Sequence, residues 1–278
     1  MKLMRVGPKG HEKPAVLDND NNIRDLSSIV VDIAGQTLAD EQISMLRDID
    51  LSTLPIIDSN ERIGPCVGQT GKFICVGLNF SDHAAESGMA LPKEPVIFMK
   101  ATSSISGPND DIEIPRGSEK TDWEVELGVV IGKEAKYIDE KNALDYVAGY
   151  CVINDVSERA FQLEREGQWV KGKSCDTFGP IGPWLVTRDE IENPQALGMW
   201  LEVNKYRWQD GNSNTMVFQI AEIVAYLSQF MSLQPGDIIS TGTPPGVGFG
   251  QTPQVYLKRG DKIQLGIEGL GTQTQTCI

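Results

Sequence analysis

Three carboxylate side chains stand at positions from which they could bind a metal ion together. Glu124 and Glu126 alternate with apolar residues over 123–127, a pattern typical of a β-strand. Alternate residues of a strand point to one face, so both glutamates would project together with Cβ atoms roughly 7 Å apart. Asp155 follows the apolar run 150–153, where a buried strand should emerge. The spacing therefore predicts that three carboxylates meet at neighbouring strand ends.

Such a site would offer oxygen ligands alone, which suit hard cations such as Mg²⁺, Mn²⁺ or Ca²⁺. Zinc is disfavoured, because His11 and His83 are the only imidazoles and they do not sit at ligand spacing. The strand pattern by itself is more typical of a half-buried strand with two solvated glutamates, so that alternative stays open.

His83 and Glu86 form a second candidate pair. If 81–87 is helical, residues three apart share a face, and the carboxylate could orient the imidazole as a general base. A surface His–Glu pair would have the same spacing.

The segment G167-Q168-W169-V170-K171-G172-K173-S174 formally matches a phosphate-binding loop. That loop works only between a buried strand and a helix, whose N-terminus meets the phosphates. Here a charged stretch precedes it and the Gly- and Pro-containing stretch 175–183 follows, so we reject a nucleotide site. Lys173 remains a candidate for another role.

The elements that must position these residues divide the chain into two parts. Residues 1–65 are predicted to form a small N-terminal domain with short strands at 14–18 and 23–25 and a helix at about 37–48. Residues 66–278 would form a mostly β domain. Its apolar runs predict strands at 73–77, 96–99, 123–131, 147–153, 200–203, 237–240 and 262–267. Two helices are predicted in it, at about 139–146 with Asp139 as the cap, and at about 217–231.

Composition narrows the function classes. The 278 residues carry 25 Lys and Arg against 39 Asp and Glu, a net charge of −14. That balance argues against nucleic acid and anionic membrane surfaces as partners, but a metal in a cleft would still attract a small anion. The five cysteines form no Cys-x-x-Cys, and no signal segment or membrane helix is evident, so a cytoplasmic location is expected.

Taken in order, five segments resemble the fumarylacetoacetate hydrolase family. They are GLNFSDHAAE at 77–86, DWEVELGVVIG at 122–132, GYCVINDVSERAFQ at 149–162, KGKSCDTFGPIGP at 171–183 and STGTPPGVG at 240–248. The resemblance implies an α+β, mostly β fold, in which a mixed β-sandwich or roll surrounds a carboxylate-bound Mg²⁺ or Mn²⁺. It also implies a homodimer.

The resemblance also suggests a role for each candidate residue. Glu124, Glu126 and Asp155 resemble the metal ligands, His83 and Glu86 the water-activating pair, and Lys173 the lysine that stabilises the oxyanion or enolate. Substrate-facing positions match Arg159, Gln162, Gly242 and Thr243. One departure from the family pattern is Lys205 in place of a hairpin glycine, which predicts a positive φ at Asn204 or Lys205.

The implied activity is metal-dependent cleavage of a carbon–carbon bond in a small 2,4-diketo acid. The segments look closest to members acting on 2,4-diketo-3-deoxy sugar acids of the fuconate or rhamnonate type, which release pyruvate and a hydroxy acid. Ureidoglycolate lyase, acylpyruvate hydrolase, oxaloacetate decarboxylase and hydroxy-heptadienedioate isomerase are alternatives within the family. A non-catalytic metal-binding protein is the alternative of another class, although it would need neither His83 nor Lys173.

Overall fold

A computed structural model describes residues 1–82 and 91–278 of the chain. The strands in these residues are, in chain order, β1 (Lys2–Val6), β2 (Lys13–Leu17), β3 (Ile23–Asp25), β4 (Ile56–Ile57), β5 (Phe73–Gly77), β6 (Val96–Lys100), β7 (Ile105–Ser106), β8 (Thr121–Asp122), β9 (Val125–Ile131), β10 (Val147–Asn154), β11 (Ser157–Glu158), β12 (Gly179–Thr187), β13 (Gly198–Val203), β14 (Tyr206–Asn212), β15 (Ile238–Ser240), β16 (Lys262–Ile267) and β17 (Gly271–Thr276). The α-helices that lie wholly within these same residues span Asp40–Arg47, Arg159–Leu163, Val170–Lys173 and Ile220–Leu227. The predicted mostly β class is confirmed.

The strands form one large mixed sheet and two smaller ones. The large sheet runs β4-β3-β2-β1-β12-β10-β9-β15-β5-β6, with β7 paired to β12. Its pairs are antiparallel except for β15 with β5 and β7 with β12. A second, antiparallel sheet has the order β14-β13-β16-β17, and β8 pairs with β11. The N-terminal strands are continuous with the large sheet because β1 pairs with β12, and the domain boundary near residue 65 stays a prediction.

Both faces of the large sheet are covered, which explains why every residue of β9 is buried. Leu127 and Val129 lie in the cluster that contains the second sheet and the Ile220–Leu227 helix. Val130, which points the opposite way, lies in the cluster that contains Ile43 and Leu46 of the N-terminal helix. Any charged side chain on β9 is therefore held inside the protein.

Several predicted element bounds were wrong. The strand predicted at 123–131 begins at Val125, because Thr121–Asp122 pairs separately with β11. Residues 140–146 form a 3₁₀ helix, and Asp139 precedes it without a capping hydrogen bond from its side chain. The N-terminal helix is interrupted by Ala39 in an extended conformation, so a 3₁₀ turn at Gly35–Leu38 precedes Asp40–Arg47.

The positive φ predicted for the hairpin at Asn204 or Lys205 is confirmed. Asn204 and Lys205, which join β13 to β14, have φ values of 53° and 69°. Two consecutive positive φ values are typical of the turns whose twist matches a two-residue hairpin.

Candidate active site

The pairing of β9 with β10 brings the three carboxylates together. In this antiparallel pair Ile153 lies opposite Glu126, so the start of β9 adjoins the end of β10. The Asp155 N–H then donates to the Glu124 carbonyl at 2.9 Å, which fixes the two residues side by side. One carboxylate oxygen from each of Glu124, Glu126 and Asp155 lies within 4.8 Å of the others. All three residues are at most 6% exposed.

Lys173 lies among these carboxylates. Its Nζ donates to Glu124 Oε2 at 2.7 Å and to Asp155 Oδ2 at 2.8 Å. The Val170–Lys173 helix delivers it from the segment that formally matched a phosphate-binding loop; no strand leads into this helix. Burial alone would lower the pKa of Lys173, but Asp155 and Glu124 outweigh burial and hold it above its usual range. The ammonium is therefore a permanent positive charge at the site.

Arg159 supplies a second cation. Its guanidinium pairs with Glu124 Oε1 at 2.7 Å and with Asp122 Oδ2 at 2.8 Å. Gln162, one helical turn further along, accepts from Arg159 Nη1 at 3.1 Å. Burial alone would raise the pKa of Glu124. The positive charges of Lys173 and Arg159 outweigh burial and hold this pKa well below its usual range, so the carboxylate form is favoured.

Glu126 is in the opposite electrostatic situation. Burial and the neighbouring Asp155 and Glu124 carboxylates raise its pKa well above the usual range. Within the described part of the chain its hydrogen bonds, from Ser240 Oγ at 2.6 Å and the Gly242 N–H at 2.9 Å, both reach Oε2. Oε1 is left for a further positive partner.

The donor set fits a divalent cation. Four nominally negative carboxylates, the triad and Asp122, face three cations, namely Lys100, Arg159 and Lys173. Oxygen ligands at these separations suit Mg²⁺, Mn²⁺ or Ca²⁺, and the three residues are the one such group found among the described residues. A cation would offset the like-charge repulsion that raises the pKa of Glu126.

The remaining candidates lie close by or outside the described residues. Thr243 and Gly242 line the same cavity as Glu124, Arg159 and Gln162. The Gly242 N–H serves the Glu126 carboxylate here, so substrate binding by this turn stays a prediction. His83 and Glu86 fall within 83–90, outside the described residues.

Sequence reasoning missed two charged residues of the site. Lys100 ends β6 and is 2% exposed; its Nζ contacts Asp155 Oδ1 and donates to the Val156 carbonyl at 3.1 Å. A lysine at the end of the apolar run 96–99 was the available signal. Asp122 is fully buried and accepts from Arg159 and from the Gly248 and Phe249 N–H groups. Its place next to an apolar strand gave no distinct signal.

The fold and this site define a member of the fumarylacetoacetate hydrolase family. The family model for the C-terminal domain of fumarylacetoacetate hydrolase matches residues 72–278, and the chain belongs to this family. A Burkholderia multivorans (strain ATCC 17616 / 249) protein whose name assigns it provisionally to the hydrolases is 64% identical over 276 residues, which cover 99% of this chain and 98% of that protein.

Solved relatives share the whole fold. Fumarylacetoacetate hydrolase from the psychrophile Exiguobacterium antarcticum is 34% identical with a TM-score of 0.87, covering 100% of this chain and 99% of that one. Maleylpyruvate hydrolase from Sphingobium sp. SYK-6, solved with manganese(II) and pyruvate, is 28% identical with a TM-score of 0.83 over the same shares. The 2-hydroxyhepta-2,4-diene-1,7-dioate isomerase from Mycobacterium marinum is 31% identical with a TM-score of 0.77, covering 100% and 98%. The family thus includes both hydrolases and isomerases.

Of the helices in 1–82 and 91–278, none combines the length and the hydropathy that crossing a bilayer requires.

Proposed function

We propose that the chain is a divalent-metal-dependent hydrolase that cleaves a carbon–carbon bond of a small 2,4-diketo acid and releases pyruvate. The observation that carries this proposal is the buried triad of Glu124, Glu126 and Asp155, in which Lys173 donates to Glu124 and Asp155 and lines one cavity with both glutamates. The likeness to a maleylpyruvate hydrolase solved with manganese and pyruvate supports both the metal and the product.

Glu124, Glu126 and Asp155 would hold the metal, with Mg²⁺ or Mn²⁺ as first candidates and Ca²⁺ as a third. Bound there, the cation would supply Lewis acidity toward the 2-oxo acid end of the substrate. Lys173 places its ammonium beside two of the three carboxylates, where it can stabilise negative charge that develops on a substrate oxygen. Arg159 holds Glu124 in place from the other side.

The carbonyl groups at C2 and C4 of a 2,4-diketo acid determine which bonds would form and break. His83, oriented by Glu86, would take a proton from water, and the water oxygen would attack the C4 carbonyl. Collapse of that adduct breaks the C3–C4 bond, and its electron pair leaves as pyruvate enolate. Lys173 would stabilise the enolate until C3 receives the proton, and the acyl part leaves as a carboxylic acid. The roles of His83 and Glu86 are proposed from the sequence alone.

The acyl part of the natural substrate is proposed from the sequence. The segments of the chain favour a 2,4-diketo-3-deoxy sugar acid of the fuconate or rhamnonate type, whose tail beyond C4 is a hydroxyl-bearing carbon and a methyl group. The second candidate is an isomerase, favoured by the likeness to a hydroxy-heptadienedioate isomerase at 31% identity. An isomerase would consume its substrate without forming pyruvate.

The test is an assay for pyruvate and glyoxylate over a panel of acylpyruvates, 2,4-diketo-3-deoxy sugar acids, oxaloacetate and ureidoglycolate, with and without EDTA. We expect pyruvate from diketo acids only when metal is present. Glyoxylate from ureidoglycolate would instead identify a lyase. Equal activity after complete metal removal would refute the proposal, as would metal binding without turnover of any substrate.

A homodimer is also proposed, on the family resemblance. Sedimentation velocity at several protein concentrations would test it, and a monomer throughout would refute it.

A further inference from the structure

The cavity that contains the carboxylates has two chemically different ends. The charged and polar side chains that line one end belong to the hydrogen-bonded cluster around the carboxylates or to the turn beside it. They are Glu124, Glu126, Arg159, Gln162, Lys173 and Thr243. The rest of the described lining is apolar and includes Leu78, Phe98, Leu163, Trp169, Val247 and Phe249. A substrate whose keto-acid end lies on the carboxylates would therefore extend its tail along an apolar wall.

Trp169 and Phe98 form the aromatic part of this wall beside Lys173, whereas the Phe249 ring lies 5.7 Å from the Arg159 guanidinium. The Trp169 and Phe98 ring centroids are 5.3 Å apart in an edge-to-face arrangement. The Phe98 ring lies 5.0 Å from Lys173 Nζ, so the wall begins directly beside the ammonium. Trp169 precedes Lys173 by four residues, and the Lys173 N–H donates to the Trp169 carbonyl at 3.1 Å. One helical turn thus carries both the cation and the Trp169 part of the wall, and β6 supplies Phe98.

Gly77 fixes the position of the indole. A Cβ at Gly77 would lie 2.6 Å from Trp169 Cζ3, so the ring packs directly on the backbone at the end of β5. Trp169 and Phe98 are only half-buried, although both pack into the site. An aromatic ring that packs on the backbone and stays partly exposed beside a polar cavity is suited to covering an apolar part of a ligand.

No spare cation faces this wall in the described residues. Arg159 and Lys173 are the cations that line the cavity there, and each already pairs with two carboxylates. The sequence of 83–90, HAAESGMA, adds no lysine or arginine. A second carboxylate at the far end of a substrate would lose water without gaining a positive partner, which costs binding free energy.

We infer that Trp169 and Phe98 determine the substrate class by selecting 2-oxo acids with an uncharged, methyl-ended tail and rejecting those that end in a second carboxylate. This inference rests on the proposed function, because it takes the carboxylate cluster as the keto-acid end. It separates this chain from enzymes for dicarboxylic substrates such as maleylpyruvate.

The test measures binding separately from turnover. Calorimetry in Mg²⁺ buffer would compare 2-oxoglutarate with the 2-oxo acid of the same length whose far carboxylate is replaced by an isopropyl group. Neither compound has a second keto group, so neither can undergo the cleavage. We expect the isopropyl-ended acid to bind about tenfold more tightly or better, since an unpaired charge costs roughly one factor of ten or more.

Variants then assign the preference to the wall. Trp169→Lys adds a cation and should shift the ratio of the two dissociation constants by about tenfold toward 2-oxoglutarate. Trp169→Phe keeps an apolar ring and should retain the wild-type preference. Trp200→Lys makes the same change at a half-buried tryptophan of β13, which does not line the cavity, and should leave the ratio unchanged. Circular dichroism would establish that each variant is folded.

The outcomes are distinguishable. Tighter binding of 2-oxoglutarate by the wild type, or an unchanged ratio in folded Trp169→Lys, overturns the inference even if pyruvate release from diketo acids is intact. A normal binding preference without pyruvate release overturns the proposed hydrolase and supports the inference. Binding of neither acid overturns the inference, and metal-dependent pyruvate release from diketo acids then decides the proposed hydrolase separately.

Discussion

Asp122 offers the sharpest test of how the site is held together. Its fully buried carboxylate accepts from three backbone N–H groups, those of Trp123 (2.9 Å), Gly248 (2.7 Å) and Phe249 (2.9 Å). It also accepts from Arg159 Nε at 2.8 Å and pairs with Arg159 Nη2 at 2.8 Å. One carboxylate thus joins the Arg159 guanidinium to the 248–249 turn, which lines the cavity.

The substitution Asp122→Asn changes shape little but replaces one oxygen with an NH₂ group. Oδ1 accepts from Trp123 and Gly248, and Oδ2 from Phe249 and Arg159, so either orientation leaves at least two buried donors facing another donor. At about 1–3 kcal/mol for each unsatisfied group, the free energy of unfolding should fall by about 2–6 kcal/mol. Because domains are ordinarily stable by about 5–15 kcal/mol, the variant would remain folded at 25 °C after most losses of this size.

Urea unfolding followed by circular dichroism would measure this loss. The matched control is Asp210→Asn, because the Asp210 side chain is 82% exposed and should change stability by no more than about 0.5 kcal/mol. If Asp122→Asn costs less than about 1 kcal/mol, the carboxylate does not organise the site as its hydrogen bonds indicate, and the reasoning is refuted.

Three further predictions concern charges. Glu126→Gln should abolish the rise in melting temperature on adding Mg²⁺ and leave the protein without metal at least as stable, since an amide carries no charge to repel Asp155 and Glu124; a retained Mg²⁺ shift in calorimetry would contradict it. Lys173→Met should remove turnover and, by taking one of the two cations from each of Glu124 and Asp155, lower metal-free stability by about 1–3 kcal/mol in urea unfolding; normal pyruvate release would contradict its role. Arg24 donates to Asp18 and lowers the pKa of that carboxyl to about 2. The ionised Asp18 therefore stabilises the folded state fully above its unfolded pKa of about 3.9. This stabilisation disappears as the pH falls through about 2. Arg24→Met should therefore be less stable than the wild type at pH 5 but not near pH 2, and an equal difference at both values would contradict this assignment.

Local patterns in the sequence were sufficient to predict most of the strands. The apolar runs at 73–77 and 147–153 are strands in the structure, because a sheet covered on both faces demands continuous hydrophobicity. The run at 262–267 is a strand of the second sheet, where exposed Lys262 and Gln264 alternate with buried residues. The mixed, mostly β class and the family followed from such runs and from the order of five motifs. Patterns of this kind were less informative at element ends, as the late start of β9 and the 3₁₀ helix at 140–146 illustrate. The ends of elements depend on tertiary partners that no short window contains.

For the site, the sequence by itself determined which carboxylates are candidates and which lysine belongs with them. The tertiary structure alone decided how they meet: the β9–β10 register sets Glu124 beside Asp155, and β6 brings Lys100 to the same carboxylate. It also decided that Glu124 is neutralised by Lys173 and Arg159 while Glu126 is not, which no spacing of residues could reveal. The reason is physical: strand periodicity is local, whereas the field at a buried carboxylate is the sum of charges contributed by distant parts of the chain.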